Sequence, residues 1–204
     1  TILSVLLLPR VWLFPNGAPL WAQFVIVAFV AELGRYWAHR LGHEVDVLWR
    51  FHAMHHSPHR VDVLNNFRVH PVNLLWSHLL AIVPLVWFGA GPDVMMLYNV
   101  FYGIGIIFQH IDADLDHGVL NRYFSTNVLH RWHHSSVAPE GETNYGAVLI
   151  IWDRIFGTYF APEDRAPTRY GLYDEHGYPV HNFWKQLVLP LCGKERTCGL
   201  MLSC

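Results

Sequence analysis

Residues 52–56 read His-Ala-Met-His-His, and residues 130–134 repeat the pattern as His-Arg-Trp-His-His. A third cluster, His39-Arg-Leu-Gly-His43, precedes both. Spacings of three and four residues bring side chains to one face of an α-helix, about one turn apart. The clusters therefore predict helices that present imidazoles to a common centre. Histidine is the commonest biological metal ligand, and an all-nitrogen donor set fits iron, zinc, copper or nickel. Eight imidazoles exceed what one metal of ordinary coordination takes, and suit two. A lone HxxxH is more often an incidental pair on a surface or in a core. Three clusters, two of them repeating one pattern, predict a dinuclear metal site.

Composition bounds the rest. The chain has 204 residues, the length of one domain, with residues 1–190 read as a single unit and 191–204 as a tail. Charged residues make up only 15% against 52% hydrophobic, well below the roughly 25% charge of soluble domains, which points to a membrane. A net charge of −2 with histidines neutral gives no support for a nucleic-acid partner. Thr1 opens the chain inside an apolar run, Ile2 to Leu8, which reads as a piece missing its upstream segment. No basic stretch precedes that run, so it is not read as a signal peptide. Cys192, Cys198 and Cys204 lack metal-site spacing and receive no role.

Three apolar runs are candidate membrane spans: Leu20 to Ala38, Val72 to Ala90 and Val94 to Phe108. Each is near the lower limit of about 17 residues. Gly89-Ala-Gly-Pro92-Asp93 breaks the last two into a hairpin. Five arginines lie between Arg35 and Arg68, eight basic residues follow Phe108, and the hairpin turn has none. The positive-inside rule then puts every histidine cluster on the cytoplasmic face and the turn on the other, with Arg10 as an exception. The expected architecture is all-α: an integral membrane helical bundle under a cytosolic, histidine-rich helical cap that holds two metals. A transporter would keep its ionisable ligands inside the spans. Ligands gathered at the membrane face suit a catalyst acting on something dissolved in lipid.

The ordered set HxxxH, HxxHH, HxxHH around an apolar hairpin resembles the fatty acid hydroxylase/sterol desaturase superfamily. Further motifs extend the resemblance over residues 20–190. They are Asn66-Phe-Arg-Val-His70-Pro71, Gln109-His110, Thr143-Asn-Tyr-Gly146, Ile151-Trp-Asp-Arg-Ile-Phe-Gly-Thr158 and Tyr170-Gly-Leu172. The resemblance implies a membrane-bound, non-haem di-iron enzyme that uses O2 to hydroxylate or desaturate a lipid or sterol. Carried over by motif, the iron ligands are His39, His43, His52, His55, His56, His130, His133 and His134, with His110 added after the hairpin. His70 is either a further ligand or a support to one. Asp114 stands where some relatives have another histidine, so that position is a carboxylate ligand or an absent one. His59, His176 and His181 read as surface histidines.

An unactivated C–H bond offers no acidic proton and no leaving group, so the cofactor must supply the difficult chemistry. The ligands also need acceptors for their second ring nitrogens, for which Asp46, Asp62, Asp112, Asp114, Glu140, Glu142 and Asp153 are candidates. No flavin or nicotinamide motif is visible. By analogy with the family, electrons come from a separate cytochrome b5-type or ferredoxin-type protein and its reductase. The expected location is a bacterial inner membrane or the endoplasmic reticulum. Zinc stands above iron in divalent affinity and can substitute in isolated protein. Two rival readings are a zinc-dependent membrane hydrolase, which needs only about three ligands plus water, and a metal-transport or metal-binding membrane protein.

Overall fold

The structure, a computed structural model, describes residues 13–113, 115 and 117–192. The apolar run at residues 2–8, Arg10, Asp114, Cys198 and Cys204 lie outside the described residues.

Seven α-helices carry the fold, with isolated bridges but no strand among the described residues. The long α1 (Leu20–Glu44) is followed after one residue by α2 (Asp46–His56). Val45 makes that break, its backbone extended at φ −112°, ψ 111°. The break redirects the chain, so the last turns of α1 face α2. α3 (Pro71–Trp87) and α4 (Pro92–Gln109) form the hairpin expected from the sequence. Each starts on a proline, whose missing N–H costs nothing in a first turn. Gly89 in the connecting turn has φ +90°, a conformation that favours glycine.

α1 packs along α3 and α4. Val27, Ala28 and Ala31 meet Ala81 and Leu85 of α3 and Val94, Met95 and Tyr98 of α4. The helices approach closely at Gly34, where an added Cβ would lie 2.3 Å from the Leu80 carbonyl oxygen. Short helices α5 (Asn127–His133), α6 (Ile151–Phe156) and α7 (Phe183–Val188) complete the set.

The all-helical class is as expected, but the spans need correction. Among the described residues, no helix is long and apolar enough to cross a membrane. The reasons differ between helices. The 17 residues of α3 rise about 26 Å, short of a hydrocarbon core of roughly 30 Å, and include Pro84. α1 has the length but carries Glu32, Arg35, Arg40 and Glu44. α4 is diluted by Asp93, Asn99 and Gln109.

Candidate metal centre

Nine of the ten histidines proposed as ligands converge in two adjacent groups. His39, His43, His52, His56 and His133 form one; His55, His110, His130 and His134 form the other. Within each group, one ring nitrogen per residue lies within 4.8 Å of all the others.

Helical geometry explains the division. At 100° per residue, positions i and i+4 lie about 40° apart, while i+3 falls about 60° to the other side. His52 and His56 of α2 accordingly join the first group and His55 the second. In the other HxxHH the allocation reverses: His130 and His134 join the second group and His133 the first. Each repeated motif thus serves both groups. α1 adds His39 and His43 to the first, and the C-terminal cap of α4 adds His110 to the second.

More nitrogens converge than hydrogen bonding among neutral imidazoles can satisfy. His56 Nε2 lies 3.2 Å from His43 Nε2, 3.1 Å from His52 Nε2 and 3.1 Å from His133 Nε2. His130 Nε2 lies 3.2 Å from His110 Nε2 and 3.0 Å from His134 Nε2. One ring nitrogen has a single proton or a single lone pair, so His56 cannot satisfy three partners by hydrogen bonding. Nitrogens about 2.1 Å from a shared metal would stand roughly 3.0–3.4 Å apart. The donor set fits a metal in each group.

Outer contacts fix the rings. His39 Nδ1 donates to the Tyr145 carbonyl and His133 Nδ1 to that of Thr143, both at 2.8 Å. His110 Nδ1 donates to the Ile106 carbonyl at 2.8 Å. Carbonyls only accept, so these three rings carry their proton on Nδ1 and leave the Nε2 lone pair facing the group. Burial, reinforced by neighbouring imidazoles, pushes His52, His55, His56, His130, His133 and His134 well below the ordinary histidine range. Burial also takes His110 down to about 4. Neutral rings are what metal coordination requires.

The motif Thr143-Asn-Tyr-Gly146 supplies two of the carbonyls, and its backbone is itself clamped. Asp153 accepts from Tyr145 N at 2.7 Å and Gly146 N at 2.8 Å, and from Thr158 Oγ1 at 2.7 Å. Asn144, at φ +54°, donates to the carbonyls of Leu129 and Phe160. Of the candidate carboxylates, Glu142 faces a ligand directly, its Oε2 3.3 Å from His43 Nδ1. Burial raises its pKa, but the adjacent His43, with Tyr173 and Tyr145, outweighs that and holds it at about 2. Glu140 pairs with Arg165, Asp62 with Arg60, and Asp112 with Arg131.

His70 stands apart from both groups. Its Nδ1 accepts from Val72 N at 3.1 Å, and its Nε2 donates to the Leu187 carbonyl at 3.0 Å. With both nitrogens engaged, it caps α3 and ties it to α7. His59 meets Glu175, while His78 bonds its own helix at Leu74. The residues that sequence reasoning missed are Glu32 and Arg35, a buried acid–base pair inside an apolar run. Their spacing of three in that run was the available signal. Glu32 accepts from Val148 N, Leu149 N and Tyr98 OH, tethering the loop after Gly146 to α1.

Comparison with known proteins places this constellation. The fatty acid hydroxylase family model matches residues 24–158. The chain belongs to the fatty acid hydroxylase family. It is 39% identical over 183 residues to the ornithine lipid hydroxylase OlsE of Rhizobium tropici, covering 90% of this chain and 54% of that protein. It is 33% identical over 148 residues to the alkylglycerol monooxygenase of Danio rerio, covering 70% of this chain and 30% of that one. The human alkylglycerol monooxygenase is 31% identical over 152 residues, with 74% and 32% covered. The chain therefore spans about half the length of the first relative and about a third of the others. No solved structure matches it.

Proposed function

We propose that the chain is the catalytic part of an O2-dependent lipid hydroxylase, with two irons held by the nine converging histidines. The carrying observation is the pair of adjacent all-imidazole groups, in which five Nε2 pairs lie 3.0–3.2 Å apart. Two irons there would supply the oxidising power that an unactivated C–H bond demands of O2. The protein's own part is to hold neutral, pre-oriented imidazoles and to exclude water by burying them. Relatives named as a hydroxylase and as monooxygenases favour hydroxylation over desaturation, and lipids over other substrates.

A cleft of about 160 Å³ reaches both groups, lined by His39 and His52 of one and His55, His110 and His130 of the other. Its outer wall includes Leu74 and Ile106 of the hairpin, which suits an acyl chain. Apolar side chains on the hairpin and α1 stay exposed, among them Trp21 at 72%, Met96 at 66% and Ile104 at 66%. Such a belt fits insertion into lipid. We further propose that the histidine centre faces the cytoplasm, the side on which arginines gather in membrane proteins. A separate cytochrome b5-type or ferredoxin-type protein and its reductase would deliver electrons.

The test is direct. Full-length protein, reduced and loaded with iron, is incubated with isotopically labelled O2 and a total lipid extract. One labelled oxygen in a lipid product supports the reading. Absence of any labelled lipid, with two irons bound and electrons delivered, overturns it.

A further inference from the structure

Arg35 lies one turn before His39 on α1 and is 1% exposed. Its Nε donates to Tyr98 OH at 3.0 Å and its Nη1 to Ser77 Oγ at 3.2 Å. The guanidinium sits over the Tyr102 ring, 3.4 Å from its centroid. Nη2, however, has no partner among the described residues. Gln109 Oε1 is a second buried polar atom without a partner among them. Both residues line the cleft that reaches the histidines, together with Ser77 and Asn73.

A buried donor and a buried acceptor left unpaired are each costly, of order 1–3 kcal/mol. If Arg35 were only a clamp between helices, apolar packing would serve without that cost. An ionisable group inside an apolar helix more often marks a binding function. The charge balance then decides what is bound. Tyr98 OH bridges Arg35 to Glu32 Oε1 at 2.8 Å, and Glu32 only accepts hydrogen bonds, as a carboxylate does. Arg35 and Glu32 therefore offset each other, and no net charge is left for an anion. What remains free is a donor and an acceptor.

We propose that Arg35, Ser77, Asn73 and Gln109 bind a neutral hydrogen-bonding group of the lipid, an amide or a hydroxyl, and hold it about one helical turn from the histidine centre. The inference rests on the lipid-oxygenase reading and adds where on the lipid the reaction falls. Four residues of α1 rise about 6 Å, and an extended chain covers that in roughly five bonds. The oxidised carbon lies close to the anchored group, not in mid-chain.

The experiment uses the full-length protein in one detergent with four probes of equal chain length: dodecanamide, dodecan-1-ol, dodecane and dodecanoate. Binding is measured calorimetrically without O2, and the oxidised carbon is located by mass spectrometry on iron-loaded protein with O2 and an electron donor supplied. Dodecanamide or dodecan-1-ol is expected to bind about 10- to 100-fold tighter than dodecane and dodecanoate. The tighter of the two identifies the group as amide or hydroxyl. Arg35→Gln is expected to remove most of that preference and to scatter oxidation along the chain. Because Arg35 also joins α1 to α3 and α4, Asn73→Leu serves as the second variant. Among the described residues Asn73 has no side-chain hydrogen bond, so this change alters the wall and leaves the clamp intact. Tighter binding of dodecanoate or dodecane by the wild type overturns the proposal. So does full preference with unchanged oxidation position in Asn73→Leu. A wild type that binds dodecanamide tightly but oxidises nothing would overturn the oxygenase reading instead, while the binding site stands.

Discussion

His56 Nε2 and His133 Nε2 lie 3.1 Å apart, although one belongs to α2 and the other to α5. Such a separation leaves no room for a third heavy atom on the line between them but suits two ligands of one metal. The centre is therefore an agreement between helices, and the following outcomes are expected of it.

Metal analysis of anaerobically prepared protein gives two metals per chain, because each histidine group offers at least four nitrogens. Removing them with a chelator lowers the melting temperature, since buried imidazoles then lose the partner that offsets their desolvation. One metal per chain in fully active protein would sink the dinuclear reading.

His133→Ala cuts product formation by at least about 100-fold and lowers metal content, because it removes a nitrogen from the first group. His181→Ala, outside both groups, retains most activity. Equal loss in the two variants would mean that the ligand assignment is wrong.

His70→Leu separates capping from ligation. Loss of a cap costs about 1 kcal/mol, read as a shift in the unfolding midpoint, while two metals per chain are kept. A drop to one metal would reinstate His70 as a ligand.

Asp153→Ala removes the acceptor of Tyr145 N and Gly146 N. Two stranded backbone donors cost about 2–6 kcal/mol. The carbonyls that orient His39 and His133 move with them, so metal is expected to leave faster under chelator. An unchanged release rate would show that those carbonyls do not matter to the ligands.

The histidines show why some features were readable in the sequence and others were not. HxxHH has a helical period, so the helices and the convergence of their imidazoles follow from local spacing. The same period parts His55 from His52 and His56, but which histidines of other helices each side meets depends on tertiary packing, which spacing does not state. His70 reads as a ligand or a support to one because it is a histidine in a motif. Pro71 after it was the better clue, since proline opens helices. The apolar runs indicated three helices, but not that Glu32 and Arg35 would both be buried and joined through Tyr98. Hydropathy averaging passes over such a pair.

The crossed allocation of the two HxxHH motifs has a consequence for biosynthesis. As the chain leaves the ribosome, the first group has four of its members by residue 56, but the second has only His55 until residue 110. Neither is whole until α5 has been made and docked, because α5 contributes to both. The two sites therefore mature together and late, and an arrested chain ending before residue 130 is expected to retain at most one metal, loosely. The α3–α4 hairpin is therefore made before either site can close on a metal, and the cell has an interval in which to choose which ion the protein receives.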